Sequence, residues 1–181
     1  MAIKVIFVGP MGAGKTTAIR TISDFDPIST EAKNSDRASV DKAFTTVAMD
    51  YGELTLDSDR KLTLYGVPGQ KHFDFIWPIV ANGALGGALL LDCSRDDWQE
   101  SLLYYVDSFR DLADTGSLVL ALNRAADEDG VADSVIQLCE KIDLALPFFF
   151  TDPRNKDDVY LLLEALAINA ELDSELYGDM H

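Results

Sequence analysis

Gly9-Pro10-Met11-Gly12-Ala13-Gly14-Lys15-Thr16-Thr17 follows the apolar run Ile3-Lys4-Val5-Ile6-Phe7-Val8 and leads into a segment of helical character ending near Ile22. The spacing is G-x-x-x-x-G-K-[ST], a phosphate loop in the strand–loop–helix setting that the motif requires. Glycines let the backbone turn tightly, so that main-chain N–H groups from Gly9, Met11, Gly12, Ala13, Gly14, Lys15, Thr16 and Thr17 converge on an anion. The following helix adds the positive end of its dipole. In such a loop Lys15 reaches the β- and γ-phosphates and the Thr16 hydroxyl ligates Mg²⁺. The stretch therefore implies a nucleoside triphosphate site.

Working outward, the 181 residues suffice for a single domain, 1–181, with a full hydrophobic core. A net charge of −16 excludes nucleic acid as the expected ligand, because phosphate backbones demand a basic footprint. It also confines anion binding to the local loop. Cys93 and Cys139 are too few and too far apart for a metal cluster, and read as reduced thiols. No basic-then-apolar leader and no bilayer-length apolar stretch stand out, so a cytoplasmic protein without direct membrane insertion is expected.

Apolar runs alternate with amphipathic segments, which predicts an α/β doubly wound domain. The expected strands are Ala2 to Val8, Thr46 to Leu56, Lys61 to Gly66, Ala84 to Asp92, Leu118 to Asn123 and Pro147 to Phe150. That makes a six-stranded, mostly parallel sheet with about five helices. The short polar link Asp57-Ser58-Asp59-Arg60 makes the second and third strands an antiparallel edge hairpin. Helices are expected at Lys15 to Ser23, Asp96 to Ala113, Ala132 to Ile142 and Lys156 to Leu172, with helical spacing also in Gly69 to Val80. The span from Asp24 to Thr45 reads as a long irregular loop, a length that usually signals function.

Strand, phosphate loop, helix, long loop, hairpin and then Pro68-Gly69-Gln70 is an order that resembles the P-loop NTPases of the Ras-like small GTPase type, over nearly the whole chain. More narrowly, Thr46-Val47-Ala48-Met49-Asp50-Tyr51-Gly52 and Tyr65-Gly66-Val67-Pro68-Gly69-Gln70 look like the bacterial MglA-type branch, whose GTPases are found alongside roadblock-type proteins. The resemblance implies GTP and GDP as ligands, Mg²⁺ as cofactor, and hydrolysis of GTP by a molecular switch with two mobile segments. Thr46 would ligate Mg²⁺ and meet the γ-phosphate, Gly69 would donate its N–H to that phosphate, and Gln70 would orient the attacking water. The usual D-x-x-G carboxylate is replaced here by Gly66; Asp50, on the neighbouring strand, is the expected substitute at the metal. Met11 stands where Ras-type proteins prefer glycine and would crowd Gln70, implying slow hydrolysis without an activating protein. Arg37, in the long loop, is either a finger in cis or a solvated side chain.

For the base, Asn123-Arg124-Ala125-Ala126-Asp127 resembles the guanine-reading Asn-Lys-x-Asp sequence with the carboxylate one residue late. Either a bulge brings Asp127 in or guanine selectivity is weakened. Thr151, Asp152 and Pro153 stand where the family places its last base-binding loop. Phe73, Phe75 and Trp77 near His72 suggest a docking patch for activating or effector proteins, roadblock-type ones among them. Two alternatives stay open: a shikimate-type kinase using ATP, which the hairpin disfavours, and a degenerate nucleotide-binding scaffold.

Overall fold

Ala2–Val8 forms β1, and its alternating side chains enter two separate cores. The computed structural model describes residues 2–33 and 46–178. In chain order the elements are β1, α1 (Lys15–Ile22), β2 (Ile28–Lys33), β3 (Thr46–Thr55), β4 (Lys61–Gly66), a 3₁₀ turn (Lys71–Ile76), α2 (Trp77–Ala81) and β5 (Gly86–Asp92). Then follow α3 (Trp98–Ser108), α4 (Arg110–Asp114), β6 (Leu118–Asn123), α5 (Glu128–Lys141), β7 (Phe148–Phe150) and α6 (Lys156–Gly178).

The strands lie in one sheet in the order β2-β3-β4-β1-β5-β6-β7. β1 pairs in parallel with β4 and β5, β5 with β6, and β6 with β7, while β3 runs antiparallel to both β2 and β4. The α/β class and the hairpin are as expected. The sheet has one strand more than expected, because Ile28–Lys33 extends the antiparallel edge instead of remaining irregular. With Ser29, Thr30, Glu31 and Lys33 among its six residues, that strand is too polar to read as one from apolar content, and it pairs along its whole length with β3. Residues 34–45, including Arg37, lie outside the described residues.

Strands β5 and β6 are buried throughout, which explains their unbroken apolar sequences. Even-numbered residues Ile6 and Val8 face a core with Trp77, Leu102 and Val135, whereas Val5 and Phe7 face Ile19, Leu162 and Leu166. Thus α1 and α6 cover one face and α2 to α5 the other. Pro78 sits in the first turn of α2, where its missing N–H breaks no helical bond. The single helix expected from Asp96 to Ala113 is two, since Phe109 leaves helical geometry (φ −113°, ψ 35°) as its ring stacks on Trp77. α5 starts earlier than expected: Asp127 caps it and Glu128 and Asp129 complement the dipole of its first turn. Among the described residues no helix is long and apolar enough to cross a membrane, and Cys93 and Cys139 are free thiols.

Candidate functional site

The phosphate loop bridges the C-terminal end of β1 and the start of α1. Gly9 and Gly14 hold left-handed backbone angles, with φ of 129° and 110°, which a side chain would strain. A Cβ at Gly9 would also meet the Leu90 carbonyl oxygen at 2.2 Å, so the loop turns directly against β5. Lys15 is half-buried, and its Nζ donates to the carbonyl oxygens of Gly9 and Pro10, both at 2.7 Å. Burial lowers the Lys15 pKa to about 8, against an opposing pull from the Asp50 charge. A desolvated ammonium held on main-chain carbonyls is poised to exchange them for an anion.

The Thr16 hydroxyl donates to Asp50 Oδ2. In the β3–β4 register Asp50 stands opposite Gly66, and a Cβ on Gly66 would come within 3.2 Å of the same carboxylate oxygen. A hydroxyl and a carboxylate side by side are oxygen donors of the kind Mg²⁺ takes, with phosphate and water completing its shell. Among the described residues no group of three or more His, Cys, Asp or Glu side chains could hold a metal unaided. Thr46 opens β3 opposite Lys33.

Gly69 lies against the phosphate loop, where a Cβ would meet the Gly9 carbonyl oxygen at 2.4 Å and the Met11 nitrogen at 2.7 Å. Gln70 Nε2 lies 3.7 Å from the Met11 sulfur, and Met11 is 69% exposed. Sequence patterning missed what holds this segment: Trp77 Nε1 donates to the Pro68 carbonyl at 3.0 Å and the Tyr105 hydroxyl to the Gly69 carbonyl at 2.6 Å. No local signal points to those contacts. Of the aromatic patch, Trp77 is buried, Phe73 half-buried, and Phe75 exposed; the His72 ring rests on Phe73.

At the expected base site Asn123 is buried and its Nδ2 donates to the Ala13 carbonyl at 3.3 Å. Arg124 adopts a left-handed φ of 56° and pairs with Asp92 through Nη1 at 2.5 Å. Burial opposes the Asp92 charge, but hydrogen bonds from Ser94 and Arg124 outweigh it and hold the carboxyl below its ordinary value. Asp127 Oδ1 accepts from the Gly130 N–H at 3.2 Å as the α5 cap. Thr151 is buried, its hydroxyl donating to the Phe149 carbonyl at 3.1 Å. Asp152 accepts from Arg154 Nε and Nη2, and these bonds lower its pKa to about 2. Pro153 abuts Gly14, where a Cβ would meet its Cγ at 2.8 Å, and its carbonyl accepts the Thr21 hydroxyl at 2.7 Å. Asn123 and Pro153 therefore join the loops after β6 and β7 to the phosphate loop. A cavity of about 600 Å³ between Pro78–Ala84 and Asp107–Thr115 opens at the other end of β5 and includes none of these residues.

The fold is shared with a G domain of known structure. The G domain of the T. maritima FeoB iron transporter superposes with a TM-score of 0.63 at 16% identity, covering 94% of this chain and 99% of that one. The uncharacterized protein MJ1339 of Methanocaldococcus jannaschii is 31% identical over 93 residues, 51% of this chain; the match spans about half of that relative's length, 53%. No family model matches the chain.

Proposed function

We propose that this chain is a small cytoplasmic GTP-binding protein, one domain throughout, that hydrolyses GTP slowly to GDP and phosphate and acts as a nucleotide-dependent switch. The observation that carries it is the pairing of a desolvated Lys15 on the Gly9 and Pro10 carbonyls with Thr16 bonded to Asp50. Main-chain N–H groups of Gly9 and of Met11 to Thr17 cradle the phosphates, and Lys15 neutralises the β- and γ-oxygens. Thr16, Thr46 and Asp50 are the oxygens that would hold Mg²⁺, which neutralises charge on the triphosphate when bound. Asp50 stands in for the carboxylate that Gly66 lacks, consistent with its place over that glycine. Gly69 donates to the terminal phosphate, and Gln70 orients the water whose oxygen forms the new bond to phosphorus as GDP leaves. Met11, in contact with Gln70, holds that amide back and keeps turnover slow.

Asn123 braces the base pocket through Ala13, and Arg124, Asp127, Thr151, Asp152 and Pro153 surround the base. Because Asp127 caps α5 and Asp152 is engaged by Arg154, preference for guanine over adenine is weaker than a free carboxylate would give. Effector or activating proteins, roadblock-type ones in keeping with the MglA-like motifs, would dock on the segment bearing exposed Phe75 and Ile79. Equilibrium binding of GTP, GDP and ATP, followed by phosphate release, tests this. Binding of guanine nucleotides with slow release supports it; ATP preference with phosphoryl transfer to a small acceptor points to a kinase.

A further inference from the structure

Two consecutive peptide planes flank Gly69. One carries the Pro68 carbonyl and the Gly69 N–H, the other the Gly69 carbonyl and the Gln70 N–H. Trp77 Nε1 donates to the first carbonyl at 3.0 Å and the Tyr105 hydroxyl to the second at 2.6 Å. Both planes are trans, so a fixed carbonyl fixes the N–H on the opposite edge. The donors are themselves immobilised. Trp77 is 1% and Tyr105 3% exposed, their rings stack at 5.1 Å, and Phe109 stacks on Trp77 at 5.4 Å. Burial drives the Tyr105 pKa well up, so the hydroxyl keeps its proton. On its other side Gly69 has no room for a Cβ beside Gly9 and Met11.

We propose that Trp77 and Tyr105 are positioning residues, clamping the peptides around Gly69 so that the Gly69 and Gln70 N–H groups are set for the terminal phosphate. This rests on the GTP reading above. The clamp holds in the GDP and GTP states alike. The nucleotide-responsive part of this segment then lies between Gln70 and Trp77.

Single-turnover hydrolysis of Mg·GTP by Tyr105→Phe, with separate affinities for GTP and GDP, tests the clamp. The variant keeps the ring stack and loses one hydroxyl. The rate constant at saturation should fall about five- to tenfold while both affinities stay within about twofold. An unchanged rate, or affinity lost in step with rate, overturns the proposal. Wild-type protein that binds no GTP overturns the functional reading itself, a result distinct from wild type and variant turning over alike. A second readout needs no variant at position 105: the Trp77 indole N–H, assigned with Trp77→Phe, should be equally protected from exchange with GDP and with a non-hydrolysable GTP analogue. Loss of protection in the GDP form overturns the clamp.

Discussion

Lys15 sets a pH dependence that an exposed lysine would not. With a pKa of about 8 in the free loop, about nine-tenths of the molecules carry the charge at pH 7 and about one-tenth at pH 9. The phosphates of a bound guanine nucleotide, GDP included, stabilise the ammonium and raise that pKa, so binding takes up a proton between the two values. Affinity is then fully present below about 8 and lost as pH rises, by about tenfold from pH 7 to pH 9, or about 1.4 kcal/mol. Fluorescent-GDP titrations across that range in the presence of EDTA measure it, with calorimetry in two buffers of different ionisation heat counting the proton. Lys15→Arg should give a flat profile. A flat profile in the wild type would refute the claim that the ammonium is desolvated on the Gly9 and Pro10 carbonyls.

The same lowered pKa means that the folded chain binds fewer protons at Lys15 than the unfolded chain does, so its charge costs stability below about 8. Lys15→Met should therefore raise the unfolding free energy of nucleotide-free protein at pH 7 by about 1–3 kcal/mol, measured by urea titration. Asp50→Ala should weaken GTP binding about tenfold or more with Mg²⁺ but little in EDTA, and Asp50→Gly combined with Gly66→Asp should recover part of the loss. Met11→Ala frees the Gln70 amide, and single-turnover hydrolysis should quicken severalfold; an unaltered rate removes Met11 as the cause of slowness. Arg124→Ala leaves the buried Asp92 carboxylate without its cation, and thermal unfolding should show a loss of about 1–2 kcal/mol.

The phosphate loop and six of the seven strands were legible because each rests on local spelling: glycines at fixed intervals, and apolar runs of strand length. That Asp50 lies on the strand antiparallel to the one ending at Gly66 was legible too, since the short polar link makes the two a hairpin; the register that sets it opposite Gly66 comes from the structure. The Ile28–Lys33 strand was not, because edge pairing is a main-chain affair and its side chains are mostly polar. Nor was the α3–α4 break at Phe109, whose apolar spacing continues the helical pattern while its ring answers to Trp77. The start of α5 was hidden by Gly130, although Asp127 followed by Glu128 and Asp129 is a readable cap. The Trp77 and Tyr105 bonds join residues distant in sequence through single polar atoms, and periodicity carries no trace of them.

The central claim is that the loop after β1 grips a guanine nucleotide through its phosphates. Competitive titration of GTP, GDP and ATP into wild type and Lys15→Ala, with Mg²⁺, tests it most directly. The account predicts that both guanine nucleotides bind the wild type ahead of ATP and that the substitution weakens GTP by about a hundredfold. Undiminished GTP affinity in Lys15→Ala, or a wild type that binds none of the three, would contradict it.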